Sequence, residues 1–125
     1  MYLFKNQNIR LFSVAMTLLF VSTNLMAQKL PKKAEIKFTV YGNCGMCEKR
    51  IETALDVKGV SFSDWDRHTK EVLIKYNPRI LSEEELHKLI SAVGHDTDKS
   101  KADTTVYSKL PGCCLYRENP NTHSD

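Results

Sequence analysis

Between Val40 and Cys47 the hydrophobic period of the chain changes, and two glycines and two cysteines occupy the change. Upstream, "EIKFTVY" (35–41) alternates. Ile36, Phe38 and Val40 share one face, Lys37 and Thr39 the other, as in a half-buried strand. From Met46 onward, Cys47, Ile51, Ala54 and Leu55 recur at helical spacing up to about Val57. "YGNCG" breaks the strand. It places Cys44 in a loop and Cys47 in the first turn of the following helix.

The rest of the chain extends this pattern. "VSFSDWD" (60–66) and "EVLIKY" (71–76) read as a hairpin around the polar "RHTK", and Asn77-Pro78 ends it. A second helix is well marked. Ser82 and Glu85 form a capping box, Glu83 and Glu84 suit the positive end of the helix dipole, and Leu86, Leu89, Ile90 and Val93 form the apolar stripe before Gly94. "HDTDKSKA" (95–102) supplies a fourth, edge strand. "DTTVYSKL" (103–110) reads either as a further strand or as a short helix capped by Asp103, and "RENPNTHSD" (117–125) as a disordered tail. The order strand, helix, strand, strand, helix, strand is the split arrangement of ferredoxin-like α+β folds, a four-stranded antiparallel sheet with two helices on one face.

The first 27 residues read differently. Lys5 and Arg10 precede the apolar run "LFSVAMTLLFV", and small Ala27 stands before Gln28, the pattern of a secretory signal peptide. That run is roughly half of the ~20 residues a membrane span needs. The expected organisation is a signal peptide over 1–27, a leader over 28–33, the folded domain over 34–102 and an extension over 103–125. The formal charge of +3 falls to +1 once Lys5 and Arg10 are removed, because every Asp and Glu lies beyond them. A nearly neutral exported domain of this kind gives no reason to expect nucleic-acid or membrane-surface binding.

All four cysteines fall in the exported part, as two local pairs, Cys44/Cys47 and Cys113/Cys114. An even count permits three disulfide connectivities, but local pairs suit metal or redox chemistry better than long-range staples. Unpaired N–H groups at a helix start favour thiolate at Cys44 and Cys47, and Lys49 and Arg50 add positive charge. Two thiolates can converge on one soft ion at about 2.3 Å, and two ligands leave an open, exchangeable site. Such ligands favour Cu(I), and they also take Zn(II) or other thiophilic ions. Thiol–disulfide exchange is the rival use of C-x-x-C at a helix start. Against it stand the intervening Gly-Met, the lack of a preceding Trp, and the absence of an obvious position for a cis-proline loop.

"V-x-G-N-C-x-x-C-x-x-x-I" at 40–51, set between the first strand and first helix of this pattern, resembles the heavy-metal-associated domain. That family includes copper chaperones, the N-terminal domains of metal-exporting ATPases and periplasmic mercury-binding proteins. The resemblance covers about residues 34–102. It implies that Cys44 and Cys47 bind the ion and pass it by ligand exchange to a partner such as a metal-exporting ATPase or membrane transporter. A monomer is expected, with a metal-bridged dimer as the alternative. "VGHD" (93–96) resembles the family's loop beside the metal site, with His95 where many bacterial members carry Tyr. Gly42 stands where family members commonly have Met, and Met46 lies between the cysteines instead.

His95, Met46, Cys113 and Cys114 are secondary ligand candidates. For the last two, reach is the obstacle. A fourth strand over 95–102 would carry the chain roughly 25 Å from the metal loop at ~3.3 Å per residue. A helix over the next ten residues would recover only about 15 Å. His68 and His87 read as exposed turn and helix residues, His123 as part of the tail, and Trp65 as core or sheet face. No acid/base pair, nucleophile triad or phosphate loop is legible, so no enzymatic activity is expected.

Overall fold

The computed structural model of the chain describes residues 29–120; the expected signal peptide and His123 lie outside these residues. Strand β1 (Ala34–Thr39) leads into helix α1 (Gly45–Leu55). A hairpin of β2 (Val60–Asp66) and β3 (Glu71–Tyr76) follows, and then helix α2 (Glu83–Ala92). A single turn of helix, α3 (Thr104–Tyr107), and a 3-10 turn over Gly112–Cys114 complete the regular elements.

The strands form an antiparallel sheet in the order β1-β3-β2. Alternation decides which side chains turn inward. Phe38 on β1, Trp65 on β2, and Val72 with Ile74 on β3 are buried, and they join Cys47, Ile51 and Leu55 of α1 and Leu86 and Ile90 of α2 in one core. The hairpin turn is closed by Asp66, whose carboxylate accepts from the backbone N–H groups of His68 at 2.7 Å and Thr69 at 3.1 Å. At α2 the capping box is complete: the Ser82 hydroxyl accepts from Glu85 N, and the Glu85 carboxylate accepts from Ser82 N. Gly94 ends the helix with φ of +100°, a conformation that favours glycine.

Two expectations need correction. The sheet has three strands among the described residues, not four. Where the fourth was expected, only one bridge forms, between Val40 and Thr97, flanked by Tyr41 N donating to Asp96 O (2.9 Å) and Asp98 N to Thr39 O (3.3 Å). Short polar side chains divert the backbone there. The Thr97 hydroxyl accepts from Lys99 N and Ser100 N, Thr97 N donates to Ser100 O at 2.7 Å, and the Asp96 carboxylate accepts from Ala102 N at 2.7 Å. The segment therefore folds back instead of running down the sheet edge.

The disordered tail is the second correction, for residues 117–120. Arg117 makes a two-pronged ion pair with Asp96 at 2.7 and 3.0 Å and also donates to Ala102 O, and its guanidinium lies over the Tyr107 ring at 4.1 Å. The Asn119 carbonyl accepts from the Asn43 side chain at 2.7 Å. Of the two readings for 103–110, the capped helix is the one that forms, with the Asp103 side chain accepting from Thr105 N.

Candidate metal centre

Cys44 is the N-cap residue of α1. Its backbone is extended, and its carbonyl accepts from Cys47 N (2.9 Å) and Glu48 N (3.1 Å), which starts the helix. One turn places the Cys47 sulfur 3.6 Å from that of Cys44. The N–H of Asn43 points at the Cys47 Sγ from 3.4 Å. Burial raises the Cys44 pKa. Donation from the Cys47 backbone N–H, from the Cys113 and Cys47 thiols and from the Met46 N–H outweighs it and brings Cys44 down to about 7.

Gly42 and Trp65 explain why the loop carries no methionine beneath it. A Cβ added at Gly42 would lie 3.0 Å from the Cys47 Cβ and 3.0 Å from the Trp65 ring. The indole fills that space, and its Nε1 donates to Val40 O at 3.1 Å. Opposite residues thus compensate: a large side chain on β2 for a missing one in the loop.

The second cysteine pair comes back to the first. Cys113 Sγ lies 3.4 Å from Cys44 Sγ and Cys114 Sγ 3.7 Å from it. The ligand atoms of Cys44, Cys47 and Cys114 all fall within 4.8 Å of one another. No disulfide joins any of the four cysteines in this arrangement. The expected 25 Å gap does not exist, because the turn over 97–100 returns Ala102 to Asp96 before α3 begins. Tyr116 then locks the tail down: its hydroxyl donates to Gly94 O and accepts from Asp96 N, both at 2.8 Å. The Leu110 side chain occupies the space a Cβ at Gly94 would need.

The thiols differ in setting. Cys114 is fully buried and receives an Arg50 guanidinium N–H at 3.4 Å. Burial raises its pKa, as does the neighbouring Cys47. Cys113 is exposed, and its pKa is raised by hydrogen bonding to Cys44 and then by burial. Half-exposed Met46 lies with its sulfur 3.6 Å from Cys113 Sγ, so its thioether touches the second pair.

His95, a secondary ligand candidate, has other partners. It is fully buried, its Nδ1 lies 2.8 Å from Tyr41 O, and its ring stacks on Tyr116. Burial lowers its pKa. It does not belong to the three-thiol group; it holds the loop and the tail together. His87 is also buried, stacked on Phe38 and hydrogen-bonded to the Thr97 hydroxyl at 2.7 Å, and so it braces the diverted segment. His68 stays at the exposed turn.

Residues 43–96 match the family model of the heavy-metal-associated domain. No curated protein matches the chain. Among solved structures, the CopZ metallochaperone is 24% identical over 51% of this chain and 98% of its own, with a TM-score of 0.50. A putative copper-ion-binding protein from Bacillus anthracis str. Ames is 19% identical over 53% of this chain and 96% of its own, with a TM-score of 0.51. At these identities the likeness is one of fold: an antiparallel sheet with two helices. The family match stops at residue 96, so the segment bearing Cys113 and Cys114 lies beyond it. Over residues 43–96, this chain is similar to the heavy-metal-associated domain.

Proposed function

We propose that the domain binds a soft metal ion, Cu(I) in the first place, through Cys44 and Cys47 and hands it to a partner protein by ligand exchange. The observation that carries this reading is the pair itself. Two thiols sit 3.6 Å apart on a helix N-terminus, and one of them is acidic enough to be substantially thiolate near pH 7. Among the described residues the group gathered here consists of thiols, and sulfur donors select soft ions. Transfer proceeds as an incoming partner thiolate bonds to the ion while one resident thiolate leaves; no electron changes hands. Hg(II) is the second reading, because an all-sulfur donor set suits it equally.

The expected signal peptide over 1–27 makes the periplasm or the exterior the proposed location, and a metal-exporting ATPase or membrane transporter the proposed partner. No helix among the described residues is long and apolar enough to cross a membrane. The test is a titration of the reduced protein with Cu(I), and separately with Hg(II), against a competing chelator. One equivalent should bind, and Cys44→Ser with Cys47→Ser should abolish it. Retained binding in the double variant contradicts the assignment, and so does turnover in an insulin-reduction assay.

A further inference from the structure

Cys113 and Cys114 lie outside the family match, and two thiols are enough for the open exchange site proposed above. They are nevertheless brought against Cys44 by a set of contacts that a passive tail does not need. We propose, on the basis of the reading just given, that residues 111–117 are a built-in ligand arm. In this arm Cys114 completes a three-thiolate site with Cys44 and Cys47, and Cys113 beside Met46 is the thiol through which the ion enters and leaves.

Spacing is the first argument. Three thiolates around one ion, each at about 2.3 Å, stand about 4 Å from one another. Cys44 lies 3.6 Å from Cys47 and 3.7 Å from Cys114, and all three sulfurs fall within 4.8 Å. A small adjustment of side chains brings them onto one ion without moving the backbone.

Charge is the second. A buried cysteine that only fills space is surrounded by apolar groups. Cys114 instead has the Arg50 guanidinium at its sulfur, a cation placed to offset the charge of an added thiolate.

The third argument is anchoring. The arm is fixed on both sides of the cysteines. Leu110 packs at Gly94, Tyr116 bridges Gly94 and Asp96, and Arg117 pairs with Asp96. Each anchor binds the loop that follows α2, next to the metal loop through the Tyr41 to Asp96 backbone hydrogen bond. The arm is therefore docked on the domain, where its ligands act at a high effective concentration.

Graded exposure is the fourth. Cys47 and Cys114 are fully buried, Cys44 nearly so, and Cys113 and Met46 open to solvent. Cys113 Sγ lies 3.4 Å from Cys44, 3.9 Å from Cys114 and 3.6 Å from the Met46 sulfur. Soft donors thus run from the surface to the buried group. On release, the ion gains a bond to Cys113 as one to Cys114 breaks. The thiolates of a two-thiol partner then displace Cys113, and after it Cys44 and Cys47, one bond forming on the ion as each resident bond breaks, and the freed thiolates take protons from water. The arm makes the domain hold its ion more tightly than two thiolates could, and it couples release to a change at the tail.

The experiment is X-ray absorption of the Cu(I)-loaded full protein, paired with chelator competition. The wild type should show three sulfur neighbours. Cys113→Ser with Cys114→Ser should show two, with affinity lower by at least about tenfold. Cys113→Ser should keep three sulfurs and near-native affinity but transfer the ion more slowly to an apo two-thiol acceptor. Arg117→Ala with Tyr116→Ala retains every sulfur and removes the anchors after the cysteines, so it should also give two; it serves if the tail double variant does not fold. Two sulfurs in the wild type, or an unchanged count in both the Cys113→Ser, Cys114→Ser variant and the Tyr116→Ala, Arg117→Ala variant, overturns the proposal. Cys44→Ser with Cys47→Ser separates this failure from that of the underlying reading: an ion retained there contradicts both, whereas an ion lost there and two sulfurs in the wild type contradict the arm alone.

Discussion

The two cysteine pairs meet in space but are placed by different physics. Cys44 and Cys47 owe their position to local structure: a strand ends, a helix begins, and one turn sets their separation. Cys113 and Cys114 owe theirs to tertiary contacts made by other residues, Tyr116 and Arg117 above all. The chemistry differs accordingly. Hydrogen bonds at the helix start bring Cys44 down to about 7, whereas burial pushes the Cys114 thiol up. The local pair supplies a ready thiolate. The tertiary pair supplies thiols that ionise only with help, from Arg50 or from an ion.

Changes that strike one pair and spare the other test this contrast. The largest effect is expected from Cys44→Ser with Cys47→Ser, where Cu(I) binding should vanish in a chelator titration although the tail remains docked. Next comes Arg117→Ala. It removes charge-assisted hydrogen bonds to a half-buried carboxylate and should cost about 2 kcal/mol in chemical denaturation. Its helix-start thiols should stay intact. Gly42→Met strikes the other side. With the Trp65 ring already beneath the loop, the added side chain overpacks the site and should cost about 2 kcal/mol. Combined with Trp65→Leu, the loss should be less than the sum of the two single changes, because the residues compete for one space.

Thiolate absorbance of the reduced, metal-free protein sharpens the contrast further. A step centred near pH 7 should appear and disappear in Cys44→Ser. The sign for stability follows from the lowered value. The favourable ionisation is fully present above the ordinary thiol range and is lost as the pH falls through 7. The smallest effect is expected from Ser82→Ala, which breaks the α2 capping box for about 1 kcal/mol and should leave metal affinity unchanged.

Most of the domain was legible in the sequence because its signals are local. Alternation located β1, the hairpin 60–66 and 71–76 stands as read, and Ser82 with Glu85 marks the start of α2. The C-x-x-C pair was legible for the same reason. What escaped was non-local. Nothing in "HDTDKSKA" ranks a strand below a turn until Thr97 and Asp96 are seen to capture their own backbone, and that misreading created the false distance to Cys113 and Cys114. His87 reads as exposed, and His95 as a candidate ligand, because their partners, Thr97 and Tyr41, lie on other segments. One signal could have helped. "CCLYR" ends in an aromatic and a cation, and Asp96 stands in the loop where a docked tail would need a partner.

The docking of that tail is the claim on which the contrast between the pairs rests. It is tested most directly by proton NMR of the reduced, metal-free protein. The account predicts nuclear Overhauser contacts between the β protons of Cys44 and those of Cys113 or Cys114, together with contacts from the Tyr116 ring to Gly94. Random-coil shifts across residues 111–120, with no contact from either tail cysteine to Cys44, would contradict it.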